Sequence, residues 1–267
     1  MLFRSGLNYR SHEEVLVPSA KIISVNQDRM EKDLVSFKGP GGSAYWDRFN
    51  SRNEEAEAAH KWAQSALAGG ASVGILARTN KRLDKVETVC IRTQTPYTRA
   101  EGGSILNSRE MAVYLSMLGL MTRDDMRDAD EVLAWAKLPE DEIKGIHKSL
   151  GSSGFVKLDK TELAKLSLCS DSKSVIASIL RLCSDWRKML NAGSINFVLD
   201  EVNIFLTQFA GDDKRIANDL DTVREAFRKP LGRSSGLEEI QAHIERIREM
   251  QCGAGKNKKE HAKDRKS

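Results

Sequence analysis

Three clusters carry residue types suited to phosphate. Asn8-Tyr9-Arg10-Ser11 sets an aromatic ring beside a guanidinium just ahead of an amphipathic stretch. Phosphoryl transfer needs fixed cationic charge near the γ-phosphate, and a planar guanidinium supplies bidentate donors for it. Arg10 is the candidate for that chemistry, an ordinary surface arginine near a helix start being the plainer alternative. Arg78-Thr79-Asn80 follows the apolar run Val73-Gly74-Ile75-Leu76-Ala77. It thus falls at the carboxyl end of a predicted strand, where open α/β sheets place their ligands; simple N-capping is the plainer role for Thr79 or Asn80. In Lys144-Gly145-Ile146-His147-Lys148 the charges of Lys144, His147 and Lys148 suit a phosphate backbone, and a solvated helix corner is the alternative.

Other candidates fall away. His12, His60, His243 and His261 have no carboxylate, cysteine or serine at useful spacing. Cys90, Cys169, Cys183 and Cys252 form no CxxC pair and read as reduced, structural thiols. Gly253-Ala254-Gly255-Lys256 has the wrong spacing for a phosphate loop, and Asn257 stands where the magnesium-binding Ser or Thr belongs.

These clusters need elements to hold them. Asn8 and Ser11 are placed to fix a turn and cap a helix over Ser11–Ile23, with Ser11 and Glu14 as a capping box and Pro18 as a bend. Gly39-Pro40-Gly41-Gly42 reads as a loop, and Ala44-Tyr45-Trp46, with Phe49 after it, as a short strand. Ala56, Ala59, Trp62, Ala63 and Leu67 form the stripe of a helix over Glu54–Leu67 that ends at Gly69-Gly70. Residues 73–77 predict a buried parallel strand, followed by a helix through Leu83, Val86, Val89 and Cys90 and a strand at Pro96-Tyr97-Thr98.

That order predicts an α/β layer up to about residue 101. Beyond Asn107 the period is helical, over Glu110–Leu120, Asp128–Lys137, Lys160–Leu168, Ser174–Leu190, Asn196–Gln208, Lys214–Phe227 and Leu237–Met250. The four tryptophans, Trp46, Trp62, Trp135 and Trp186, fall on apolar faces or element ends and are expected in the core.

With 267 residues, 40% hydrophobic and 30% charged, the chain has the composition of a soluble globular protein of two domains. No apolar run approaches the roughly 18 to 20 residues that would span a bilayer, and the N-terminus lacks a secretory apolar stretch. A cytoplasmic location without membrane partners is the expectation. The net charge of +4 is compatible with nucleic acid without requiring it. Gly253 to Ser267, rich in lysine, is expected to be a basic linker or disordered tail.

Leu7-Asn8-Tyr9-Arg10-Ser11 resembles motif IV of the UvrD, Rep and PcrA type superfamily 1 DNA helicases. It is joined in family order by Ile75-Leu76-Ala77-Arg78-Thr79-Asn80, Val86-Glu87, Pro96-Tyr97, Gly102-Gly103-Ser104 and Arg109-Glu110. The resemblance implies a partial RecA-like subdomain of the P-loop NTPase type, called 2A, over 1–103, a helical insertion, called 2B, over 104–252, and the tail over 253–267. The fold class it implies is α/β followed by all-α.

By the same resemblance Arg10 is an arginine finger and Tyr9 stacks on adenine, so both contact ATP, bound with Mg2+ in the intact enzyme. Arg78, Thr79 and Asn80 line a single-strand DNA track. Lys144, Gly145, Ile146 and Lys148 correspond to a Gly-Ile-Gly turn that grips duplex at a junction, although His147 replaces its second glycine. No GxxxxGK[ST] loop, paired acidic strand or later threonine-histidine-lysine-glycine motif is present. The chain therefore reads as part of an ATP-dependent 3′ to 5′ helicase whose partners include the missing 1A, 1B and remaining 2A segments. A non-enzymatic helicase-like module that binds nucleic acid or protein is the rival reading.

The isolated chain is expected to hydrolyse no ATP, because it lacks the phosphate-loop lysine, the magnesium-holding hydroxyl and the water-orienting acids. Phosphate release measured with and without single-stranded DNA checks this, and DNA-stimulated turnover in a clean preparation overturns it.

Overall fold

The computed structural model describes residues 6–27, 33–99, 103–150, 154–228 and 238–250. The chain divides into two units, one ending at Asn50 and one beginning at Ser51. The described residues are mostly helical, and their one sheet is a parallel pair of two-residue strands.

In the first unit β1 (Leu7–Asn8) pairs with β2 (Val35–Ser36), and α1 (Glu13–Ile23) lies between them in sequence. Parallel strands need such a crossover. Val35 N donates to Gly6 O at 2.9 Å and Phe37 N to Asn8 O at 2.8 Å, which fixes the register. The expected Ser11–Glu14 capping box is not formed: His12 is the N-cap and makes no side-chain cap bond. The Glu14 carboxylate accepts instead from the backbone amides of Gly41 and Gly42, each at 3.0 Å, tying down the glycine loop. The backbone amide of Glu14 itself, together with those of Gly41 and Gly42, holds its carboxyl below the usual range. Pro18 lies inside α1, where it removes one ladder bond.

The second unit opens with α2 (Arg52–Ala68) and α3 (Asn80–Thr93). Ser51 Oγ accepts from Glu54 N to start α2, and Gly70 at φ 80° helps end it. The two helices pack together; Arg92 of α3 pairs with Glu57 of α2 at 2.5 Å, and the His60 ring bonds the hydroxyls of Thr93 and Thr95.

Then come α4 (Arg109–Thr122), α5 (Met126–Trp135), α6 (Glu140–Leu150), α7 (Lys160–Lys165), α8 (Ser170–Asn191), α9 (Ile195–Gln208), α10 (Lys214–Phe227) and a helix over residues 238–250, here α11. α4 is apolar all round, so it must be buried on every side. Met111, Val113, Tyr114, Met117, Leu118, Leu120 and Met121 are fully enclosed, with α5, α8, α9 and α10 against it. Three polar groups of its neighbourhood bond to main-chain carbonyls: Tyr114 donates to Leu199 O at 2.7 Å, Trp135 Nε1 to Leu206 O at 2.9 Å, and Arg187 Nε caps α4 through Met121 O at 2.7 Å.

Three expected strands are absent. Residues 44–46, 73–77 and 96–98 join no ladder among the described residues. A buried strand needs neighbours on both edges, and without them 73–77 stays solvated, Leu76 being 96% exposed. Trp135 and Trp186 are core residues as expected, whereas Trp46 and Trp62 are exposed. Lys144 to Lys148, expected as a tight turn or a helix corner, lie inside helix α6. Among the described residues no helix is long and apolar enough to cross a membrane. Gly102 and the 253–267 tail lie outside the described residues.

α11 closes the core with Ile240, Ile244 and Ile247, and His243 among them is buried edge-on against Phe227, ring centroids 5.5 Å apart. Burial pulls its imidazole down to about 4. A depressed histidine contributes stability that is complete above its unfolded value, near 6.5, and is lost as pH falls toward 4. Relative to His243→Leu, the wild type should lose up to about 3 kcal/mol of unfolding free energy between pH 7 and pH 4. Denaturant titrations at both values, followed by tryptophan fluorescence, check this; an unchanged difference overturns it.

Candidate functional site

In the first unit the side chain of Asn8 builds the turn that presents Tyr9 and Arg10. Its Oδ1 accepts from Arg10 N at 2.9 Å and Ser11 N at 2.8 Å, an Asx turn. Ser36 Oγ donates to Ser11 O at 2.8 Å and ties the turn to β2. Arg10 is exposed, and Tyr9, 61% exposed, leans on Phe37 with ring centroids 4.8 Å apart. A phenol ring and a guanidinium on a backbone-braced turn suit a base and a phosphate respectively, so the two residues fit a nucleotide. Among the described residues no group of His, Cys, Asp or Glu is arranged to hold a metal ion.

In the second unit Arg78, Thr79 and Asn80 stand exposed at the entrance of α3. Thr79 is the N-cap, but its hydroxyl makes no cap bond. The first turn of α3 contains no acid; Lys81 and Arg82 stand there instead. Free backbone amides, the positive end of the helix dipole and three nearby cations make this end attractive to anions. Lys81 bonds Asp219 of α10 at 2.8 Å with both side chains partly solvated, a pair that exchanges readily for another anion.

Behind this entrance lies a buried acid. Glu87, 4% exposed, faces inward from α3. Its Oε1 accepts from Tyr97 OH at 2.8 Å and Ser104 Oγ at 2.6 Å; its Oε2 accepts from Ile105 N at 3.1 Å and from Arg99. Arg99 also bonds Asp84 at 2.8 Å. Burial raises the Asp84 carboxyl while Arg99 opposes the shift. Burial and the neighbouring Glu87 hold the Tyr97 phenol protonated, so it acts as a donor. Arg109 lies over the Trp135 ring, 5.3 Å from its centroid, and fixes the start of α4.

The third cluster is arranged differently from expectation. It is part of α6, with Gly145 inside the helix rather than in a tight turn. The Ile146 side chain is fully buried, so it cannot reach a ligand. His147 bonds Asp130 at 2.5 Å, and Lys144 pairs with Glu140 at 2.8 Å. Lys148 is exposed.

Residues 6–152 match the family model of the UvrD-like helicase C-terminal domain. The chain belongs to that family. No curated protein matches it. Every motif segment lies within the matched span, and so do Arg99 and Glu87. Arg99 falls in none of the motif segments, and Glu87 falls in one, Val86-Glu87, to which the sequence alone assigns no role. A signal for Glu87 was available: it shares a helical face with Leu83 and Cys90, and a lone carboxylate on an apolar stripe requires partners.

Removing one partner of a buried, fully bonded carboxylate leaves the others unsatisfied. Glu87→Leu is expected to cost about 3 to 5 kcal/mol of stability. Tyr97→Phe, which deletes a single donor, should cost about 1 kcal/mol. Urea unfolding checks both; equal, small losses overturn the assignment of Glu87 as the shared acceptor.

Proposed function

We propose that the chain forms part of an ATP-dependent 3′ to 5′ DNA helicase, contributing one side of the nucleotide cleft and a track for single-stranded DNA. The observation that carries this reading is the acid-free, cationic entrance of α3, with Arg78, Lys81 and Arg82 exposed, in a chain of the UvrD-like C-terminal family. In this reading residues 1–103 act as a RecA-like 2A portion, 104–252 as the 2B insertion and 253–267 as a basic linker.

ATP held with Mg2+ supplies the phosphoryl group whose transfer drives stepping. Tyr9 offers its ring face to adenine. Arg10, held by the Asn8 turn, directs its guanidinium at the terminal phosphate from across the cleft. Arg78 neutralises a phosphate of the single strand, while Thr79 and Asn80 bond sugar or base edges. Any duplex contact from α6 comes from Lys144 and Lys148, because Ile146 belongs to the core.

Affinity for a poly-thymidine oligonucleotide should fall steeply between about 50 and 200 mM salt. Arg78→Glu should weaken it and flatten the log-log slope by about 0.7. Charge reversal at both Lys144 and Lys148 should weaken binding to a duplex junction more than to the single strand. Fluorescence anisotropy at several salt concentrations reads all three effects. A salt-insensitive affinity, or one that Arg78→Glu leaves intact, overturns the track.

A further inference from the structure

Arg99 bonds three sites spaced along one face of α3. Its Nη2 donates to the main-chain carbonyl of Asn80 at 3.1 Å, and its Nη1 is shared between the carboxylates of Asp84, at 2.8 Å, and Glu87. Asn80, Asp84 and Glu87 recur at helical intervals of four and three residues, so the planar fork lies like a splint along the first two turns of α3. Asn80 is the first residue of that helix and the last of the Arg78-Thr79-Asn80 turn. Glu87 in turn is fixed by Tyr97, Ser104 and Ile105 N. The splint therefore joins the helix entrance to the start of the helical core.

We propose that Arg99 is a positioning residue for nucleic acid. It sets the direction in which the Arg78-Thr79-Asn80 turn leaves α3 and does not itself touch the strand; this rests on the single-strand track proposed above. Two features argue against direct contact. The Arg99 side chain is only 11% exposed, and the two carboxylates it holds give the cluster a net charge of −1, which repels phosphate. The planar fork is what the role requires, since three acceptors at different heights along a helix match a guanidinium and not an ammonium. Arg99→Lys keeps the charge and breaks the splint.

The test is a double-mutant cycle on the full chain with a poly-thymidine oligonucleotide, joined to amide hydrogen exchange without ligand. In the wild-type background Arg99→Lys should weaken binding about tenfold, the scale of losing charged hydrogen bonds at a contact. In an Arg78→Ala background the same change should weaken it by less than about threefold, because the phosphate-binding side chain is gone and only Thr79 and Asn80 remain to be aimed. Exchange should quicken over residues 83–87 and stay unchanged over 89–93.

A full tenfold loss in the Arg78→Ala background overturns the positioning role, as does an unaltered affinity in Arg99→Lys. Faster exchange throughout α3 means general damage and overturns it too. Asp84→Asn, which loosens the splint at one acceptor, should give the same pattern at smaller amplitude and stands in if Arg99→Lys fails to fold. If wild-type chain binds no oligonucleotide, the track itself fails. That failure is separate from the splint, which the exchange rates read without ligand.

Discussion

The fold of the second unit hinges on the burial of Glu87. An ionised carboxylate taken out of water is costly unless each oxygen finds donors, and here each finds two, from the chain segments that must meet. Tyr97 and Arg99 come from the extended stretch after α3, and Ser104 and Ile105 from the turn that leads into α4. A residue with one acceptable environment thereby selects one path for the chain between the α2–α3 pair and the helical core. The family motif is intelligible in these terms, since its separate pieces, Val86-Glu87, Pro96-Tyr97 and Gly103-Ser104, are the acid and its donors.

The core beyond that junction obeys a second constraint. α4 exposes no apolar face to water, so its neighbours must approach closely enough to leave no gaps. Gly119 marks one close approach: a Cβ there would come within 2.1 Å of an Asp128 oxygen on α5. Asp128 is buried as well, and Arg123 and Arg248 pair with it, so α4, α5 and α11 are joined by charge where they are closest. Apolar pressure brings the helices together, and the few polar atoms caught inside decide their register.

Helices were legible in the sequence because their signal is local. The stripes over Lys214–Phe227 and Asn196–Gln208 match α10 and α9 to within a residue at each end. Strands were not, because an apolar pentapeptide such as 73–77 states only that it suits a sheet, and whether a sheet exists depends on distant segments. α6 was missed for a related reason: glycine at 145 suggested a turn, yet Ile143 and Ile146 bury well enough to keep the helix running through it. Of the candidate site, Tyr9, Arg10 and Arg78 stand out in the sequence by type and position, and they are exposed. Arg99 was not, since its partners lie 12, 15 and 19 residues away and nothing in a single pass along the chain connects them.

The local electrostatics of α3 bear on function more directly than the net charge of +4. α2 and α4 through α8 carry acids in their first turns, the arrangement that offsets the helix dipole, whereas α3, α9 and α10 carry none. α3 carries Lys81 and Arg82 there, with Arg78 just ahead, so the free state bears an unfavourable concentration of positive charge. Asp219 relieves it only in part, through an ion pair open to solvent. A phosphate backbone on the proposed track would remove that repulsion and add attraction in the same place. On the proposed reading this charge distribution favours the bound state over the free one before any sequence-specific contact is made, at a turn that Arg99 ties to the rest of α3.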